Sequence, residues 1–156
     1  MRRRFERFAL VVLVALAGVS SAGLVSPSEK DTRDRMSVWE GVYTEEQARR
    51  GEATYRQECS SCHYDDLQGQ GSTPPLVGEA FFSRWGSLSM DDMLTAIRTT
   101  MPQGAPASLS NQAYVDVMAH MLKVNGIPAG DVELSDDRER LKQIVVGNPP
   151  GRANQP

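Results

Sequence analysis

Both cysteines of this chain and one of its two histidines fall within five residues, Cys59-Ser60-Ser61-Cys62-His63. Two thiols at this spacing can form a structural disulfide, act as a redox dithiol, or make thioether bonds to a haem whose iron the imidazole binds. On a helix, positions i, i+3 and i+4 share one face. Such a face can hold one flat macrocycle by two edges while His63 reaches its metal, and Cys-x-x-Cys-His is the attachment signature of c-type haem. A plain disulfide gives the adjacent histidine no role. A thioredoxin-like dithiol needs a preceding strand and a βαβ context, and neither is legible. The rivals kept open are a haem-based sensor or ligand-binding module and a dithiol oxidoreductase using Cys59 and Cys62.

A low-spin electron-transfer haem takes a second axial ligand, and Met/His ligation raises its potential. The chain has seven methionines. Met90, Met93, Met118 and Met121 fall in predicted helices, where core packing explains them. Met101 stands in "TTMPQGAP", after a predicted helix and held extended by Pro102. A thioether there can reach a haem face without competing with helix packing, so the expected iron ligands are His63 and Met101. His120, in mid-helix "VMAHML", reads as a packed helix histidine.

The elements that must position these residues read as helices joined by loops. "TEEQARRGEATYRQECSSCH" predicts a helix opened by Thr44, with Gln47 completing a capping box. "DLQGQGSTPPLVGEAFF" predicts a loop. "SLSMDDMLTAIRTT" predicts a helix capped by Ser89 and stopped at Met101-Pro102. "SNQAYVDVMAHMLKVNG" predicts a third, capped by Ser110 or Asn111 and closed at Asn125-Gly126. "SDDRERLKQIVV" is a short amphipathic candidate. No strand alternation is legible, and the fold class is mostly α.

The chain opens with four arginines, an apolar run from Phe8 to Val19 and Ser20-Ser21-Ala22, which fits a cleaved secretory leader at 1–22. Left uncut, the same run would serve as a membrane anchor. Residues 23–43 read as a linker, with order beginning near Val38-Trp39, 44–126 as the domain, and 127–156 as a C-terminal extension with a short helix and flexible end. The expected location is periplasmic or otherwise exported, with the membrane involved only if the N-terminal segment stays. The charge of −3 becomes −6 once residues 1–22 are removed with their four arginines and one glutamate. An acidic chain of this kind is repelled by nucleic-acid phosphates. Asp65-Asp66 and Asp91-Asp92 read as loop and helix-start charges, so no paired-carboxylate catalysis is supported.

The pieces "GEATYRQECSSCH", "PPLVG", "TTMPQGAP" and "YVDVMAHML" resemble the class I c-type cytochromes, over roughly Thr44 to Asn125. That resemblance implies helices and loops wrapped around one covalently bound haem c, and an electron carrier, not an enzyme. It implies that Gly51 and Tyr55 of the first helix meet an aromatic of the last; here His120 stands at that place. It also implies a proline carbonyl on the haem histidine, for which Pro74 matches. More narrowly, "VWEGVYTEEQARRG", "FFSRWGSLS", "IRTTMPQGAP" and "LKVNGIPAG" resemble the small cytochromes that accompany PQQ-dependent quinoprotein dehydrogenases. This implies such a dehydrogenase as donor, a terminal oxidase or another cytochrome as acceptor, and Arg84 and Trp85 near a haem propionate.

Overall fold

The computed structural model describes residues 35–151. The leader expected at 1–22, the part of the expected linker up to residue 34 and the end from 152 lie outside the described residues. Among the described residues six α-helices follow one another: α1 Glu45–Glu58, α2 Ser60–His63, α3 Gly78–Trp85, α4 Met90–Thr100, α5 Asn111–Val124 and α6 Arg138–Lys142. A 3-10 turn at Val38–Glu40 precedes them. Among the described residues no helix is long and apolar enough to cross a membrane.

Local sequence sets the helix starts. The side-chain oxygens of Thr44, Ser89 and Ser110 accept from the backbone N–H three residues on, satisfying donors that a helix start leaves unpaired. At Ser89 the box is closed by Asp92. At Thr44 it is not: the Gln47 side chain points instead into the core, donating to Leu134 O and accepting from Leu134 N–H, both at 2.8 Å. The expected capping box is therefore corrected to a half-box. Gln47 is fully buried, and a buried amide must find partners inside the protein.

The helix expected to run unbroken through the cysteines bends at Cys59, which links α1 to α2. The loop expected across 66–82 is shorter than the sequence indicated. Its glycines and prolines end at Gly78, which has a φ of +66° and opens α3. Phe81, Phe82 and Trp85 on α3 turn into the core. A strand was not legible either, yet Met36–Ser37 pairs in parallel with Ile144–Val145.

The packing centre is the crossing of α1 over α5. A Cβ placed on Gly51 would lie 1.8 Å from the carbonyl oxygen of Asp116, so only glycine permits this approach. Beside it the rings of Tyr55 and His120 meet at 5.3 Å between centroids, tilted 47°. An imidazole thus occupies the place of the aromatic the resemblance implied. Arg50 of α1 reaches both Asp116 of α5 and Glu133 beyond it.

Residues 36–43 and 127–146, which flank the 44–126 stretch, pack onto it and onto each other. Val38, Tyr43, Leu134, Leu141 and Val146 are buried. The Tyr43 hydroxyl donates to Ile127 O at 2.6 Å. Val146 N–H donates to Leu88 O at 3.1 Å, and Arg138 of α6 pairs with Asp91 of α4. The tail helix is only five residues long, because the chain turns at Gln143 and enters the strand Ile144–Val145.

Candidate functional site

One cavity of about 500 Å³ collects the residues singled out by their chemistry. Cys59, Cys62 and His63 line it, as do Pro74, Arg84, Trp85 and Met101. Tyr55, Leu76, Ile97, Val117 and Met121 supply much of the apolar wall. His120 is not among the lining residues. It packs on Tyr55 instead.

The motif sits where α1 hands over to α2. Cys59 O accepts from Cys62 N–H at 3.2 Å and from His63 N–H at 3.0 Å, so helical bonding carries through the bend. Both cysteines are free. Burial, with the charge of Glu58 added, pushes the Cys59 thiol up to about 11. A thiol held protonated is a poor nucleophile for dithiol exchange. No βαβ unit precedes the motif among the described residues, where the one sheet is the two-residue pair at 36–37 and 144–145.

His63 is buried. Its Nδ1 lies 3.1 Å from Pro74 O, and since a carbonyl only accepts, Nδ1 carries the proton. That leaves Nε2 as the nitrogen with a free lone pair, the arrangement of a metal-binding imidazole with its other nitrogen fixed. Burial draws the His63 pKa down, with the Pro74 bond opposing, and this favours the neutral form that binds metal. The Pro74 loop is itself held. Asn125, the C-cap of α5, donates to Leu76 O at 3.0 Å and accepts from Gly78 N–H at 2.8 Å. Asn125 was legible only as a helix end; its hold on a loop some fifty residues away leaves no local signal.

Met101 is the C-cap of α4, half-buried, with extended backbone at φ −129° and ψ 152°. Its N–H donates to Ile97 O at 2.8 Å, and its carbonyl accepts from the Tyr114 hydroxyl at 2.8 Å. Met121 also lines the cavity, although its place in a helix pointed to core packing alone. Trp85 is buried, and the Arg84 guanidinium lies over its ring at 4.7 Å. A cation on an indole face is held without losing its donors.

The residues fit a haem. Two unpaired thiols, a buried imidazole with its second nitrogen fixed, a thioether and an arginine share one largely apolar cavity. Its volume is within the range of cofactor sites, about 300–1,000 Å³.

This fold and this cavity define a class I c-type cytochrome domain. Residues 46–121 match the family model described as cytochrome c oxidase, cbb3-type, subunit III, and the chain carries a cytochrome c domain of that kind, with covalently bound haem c. It is 38% identical over 80 residues to a thiosulfate dehydrogenase of Stutzerimonas stutzeri (strain A1501), across 46% of this chain and 25% of that protein. The match thus spans about a quarter of the relative's length. Among solved structures, the sulfane dehydrogenase SoxCD from Paracoccus pantotrophus aligns at a TM-score of 0.48 and 22% identity, covering 83% of this chain and 75% of that one.

Proposed function

We propose that the chain is a single-electron carrier of an exported compartment, the periplasm of a bacterium, with His63 and Met101 as the axial ligands of its haem. The observation that carries this reading is the one cavity shared by Cys59, Cys62, His63 and Met101. When bound, the haem supplies reversible one-electron exchange at its iron, and Met/His ligation places that exchange at a raised potential.

The chain's own residues do the rest. Cys59 and Cys62 tether the macrocycle by thioether bonds. Pro74 O orients the His63 ring and makes its Nε2 a better donor. Arg84 stands at the cavity as a cation for a propionate, and Trp85 holds Arg84 and closes the wall. The buried ring of Tyr55 and the side chains of Ile97 and Val117 exclude water, which preserves the ligand set. In this reading its task is to pass electrons on.

The donor we propose is a dehydrogenase, of the PQQ-dependent quinoprotein kind by resemblance, with a terminal oxidase or another cytochrome as acceptor. Similarity to a protein named thiosulfate dehydrogenase supports a dehydrogenase context. Cys59→Ala with Cys62→Ala tests the attachment. In cells that mature c-type cytochromes, wild-type protein retains haem stain on a denaturing gel and the double variant does not. An unstained wild-type band would end this reading.

A further inference from the structure

The peptide joining Met101 to Pro102 has an acceptor and no donor, because proline lacks an N–H. The Tyr114 hydroxyl donates to that acceptor at 2.8 Å. Tyr114 is 1% exposed, stands in the first turns of α5 and is not among the residues lining the cavity. Met101 N–H is bound back into α4. The two polar atoms of the Met101 backbone are therefore tied to two different helices. Beyond Met101 the chain folds back on α4, with Ala107 N–H donating to Arg98 O at 2.9 Å. The tie to α5 matters for the cavity, since Val117 and Met121 of α5 line it together with Met101.

Packing alone does not call for this hydroxyl. A phenylalanine would fill the same volume without burying an O–H, and an O–H is buried at a cost unless it finds a partner. Resting on the reading that Met101 binds the iron, we infer that Tyr114 is a positioning residue, which fixes the Met101 backbone so that its thioether stays on the metal. Without the hydroxyl, the carbonyl loses its partner and the 101–107 segment can shift relative to α5. The sulfur then dissociates more readily.

The test is competition by imidazole, titrated into the ferric holoprotein and followed by loss of the weak near-infrared sulfur-to-iron band. Tyr114→Phe is expected to bind imidazole roughly 3- to 10-fold more tightly than wild type, the range that one buried hydrogen bond supplies. Tyr43→Phe is the control. It removes another buried hydroxyl bonded to a backbone carbonyl, that of Ile127, away from the cavity lining. It should lower thermal stability and leave imidazole affinity at the wild-type value. Met101→Ala separates this inference from the ligation reading, because it should abolish the band. If it does, and Tyr114→Phe binds imidazole as wild type does, the positioning role is overturned and the ligation stands. An equal rise in Tyr43→Phe overturns it too, since the effect would then be general loosening. If wild type shows no band and Met101→Ala binds imidazole as wild type does, the ligation reading fails and the inference fails with it.

Discussion

Replacing Gly51 by alanine tests the helix crossing on which the cavity depends. The added Cβ would lie 1.8 Å from Asp116 O and 2.4 Å from Asp116 C, where real contacts stay above 3.0 Å. The offending atoms are backbone, so no side chain can turn away. Relief requires α1 and α5 to part by about 1.2 Å, the gap between 3.0 and 1.8 Å. Overpacking in a core costs about 1–3 kcal/mol, and a clash with backbone belongs at or above the top of that range. Alanine returns about 1 kcal/mol through its better helix propensity. The net loss is about 2 kcal/mol or more. In a domain of about 100 residues, 1 kcal/mol moves Tm by about 4–8 °C, so Tm should fall by about 8–16 °C. Thermal unfolding of the holoprotein, followed by circular dichroism, measures this. An unchanged or raised Tm in Gly51→Ala would refute the reasoning, since the propensity gain would then have met no clash.

Gln47→Leu leaves the buried N–H and carbonyl of Leu134 without partners and should cost roughly 2 kcal/mol or more. Its haem absorption should match wild type, because neither residue lines the cavity; a changed spectrum would show that the clamp reaches the site. The Ser89 hydroxyl and N–H hold the Asp92 carboxyl below the usual carboxylate range. This contribution to stability is full above the ordinary value of 3.8 and is lost as pH falls through the lower folded value. Ser89→Ala should therefore cost about 1 kcal/mol as a lost cap and flatten the acid limb of a stability-against-pH curve below pH ~4. An unaltered limb would place the acid sensitivity elsewhere.

What the sequence disclosed was local. The five-residue motif, the caps at Thr44, Ser89 and Ser110, and the stop at Met101-Pro102 each depend on neighbours within four residues. The same locality misled at Gly78. Its glycine and the prolines before it signal a loop, and the short apolar stretch "AFFSRW" is too brief to show a period. The two-residue strands were illegible for a different reason. Their pairing joins Met36 to Ile144 and leaves no alternation in either segment. In the sequence Gln47 reads as a capping-box partner, Asn125 as a helix end and Tyr114 as an ordinary helix residue. Their roles come from side chains that reach a backbone thirteen to eighty-seven residues away. Tertiary packing alone creates such bonds.

The central claim is a one-electron carrier with a thioether on its iron, and a redox titration of wild type and Met101→His tests it most directly. The wild type should titrate as one wave, the oxidised-to-reduced ratio changing tenfold per about 59 mV, as a one-electron couple does. Met101→His should remain low-spin and titrate at a distinctly lower potential, because imidazole stabilises ferrous iron less than a thioether does. A wild type without a one-electron wave, or a Met101→His variant with the wild-type potential, would contradict the account.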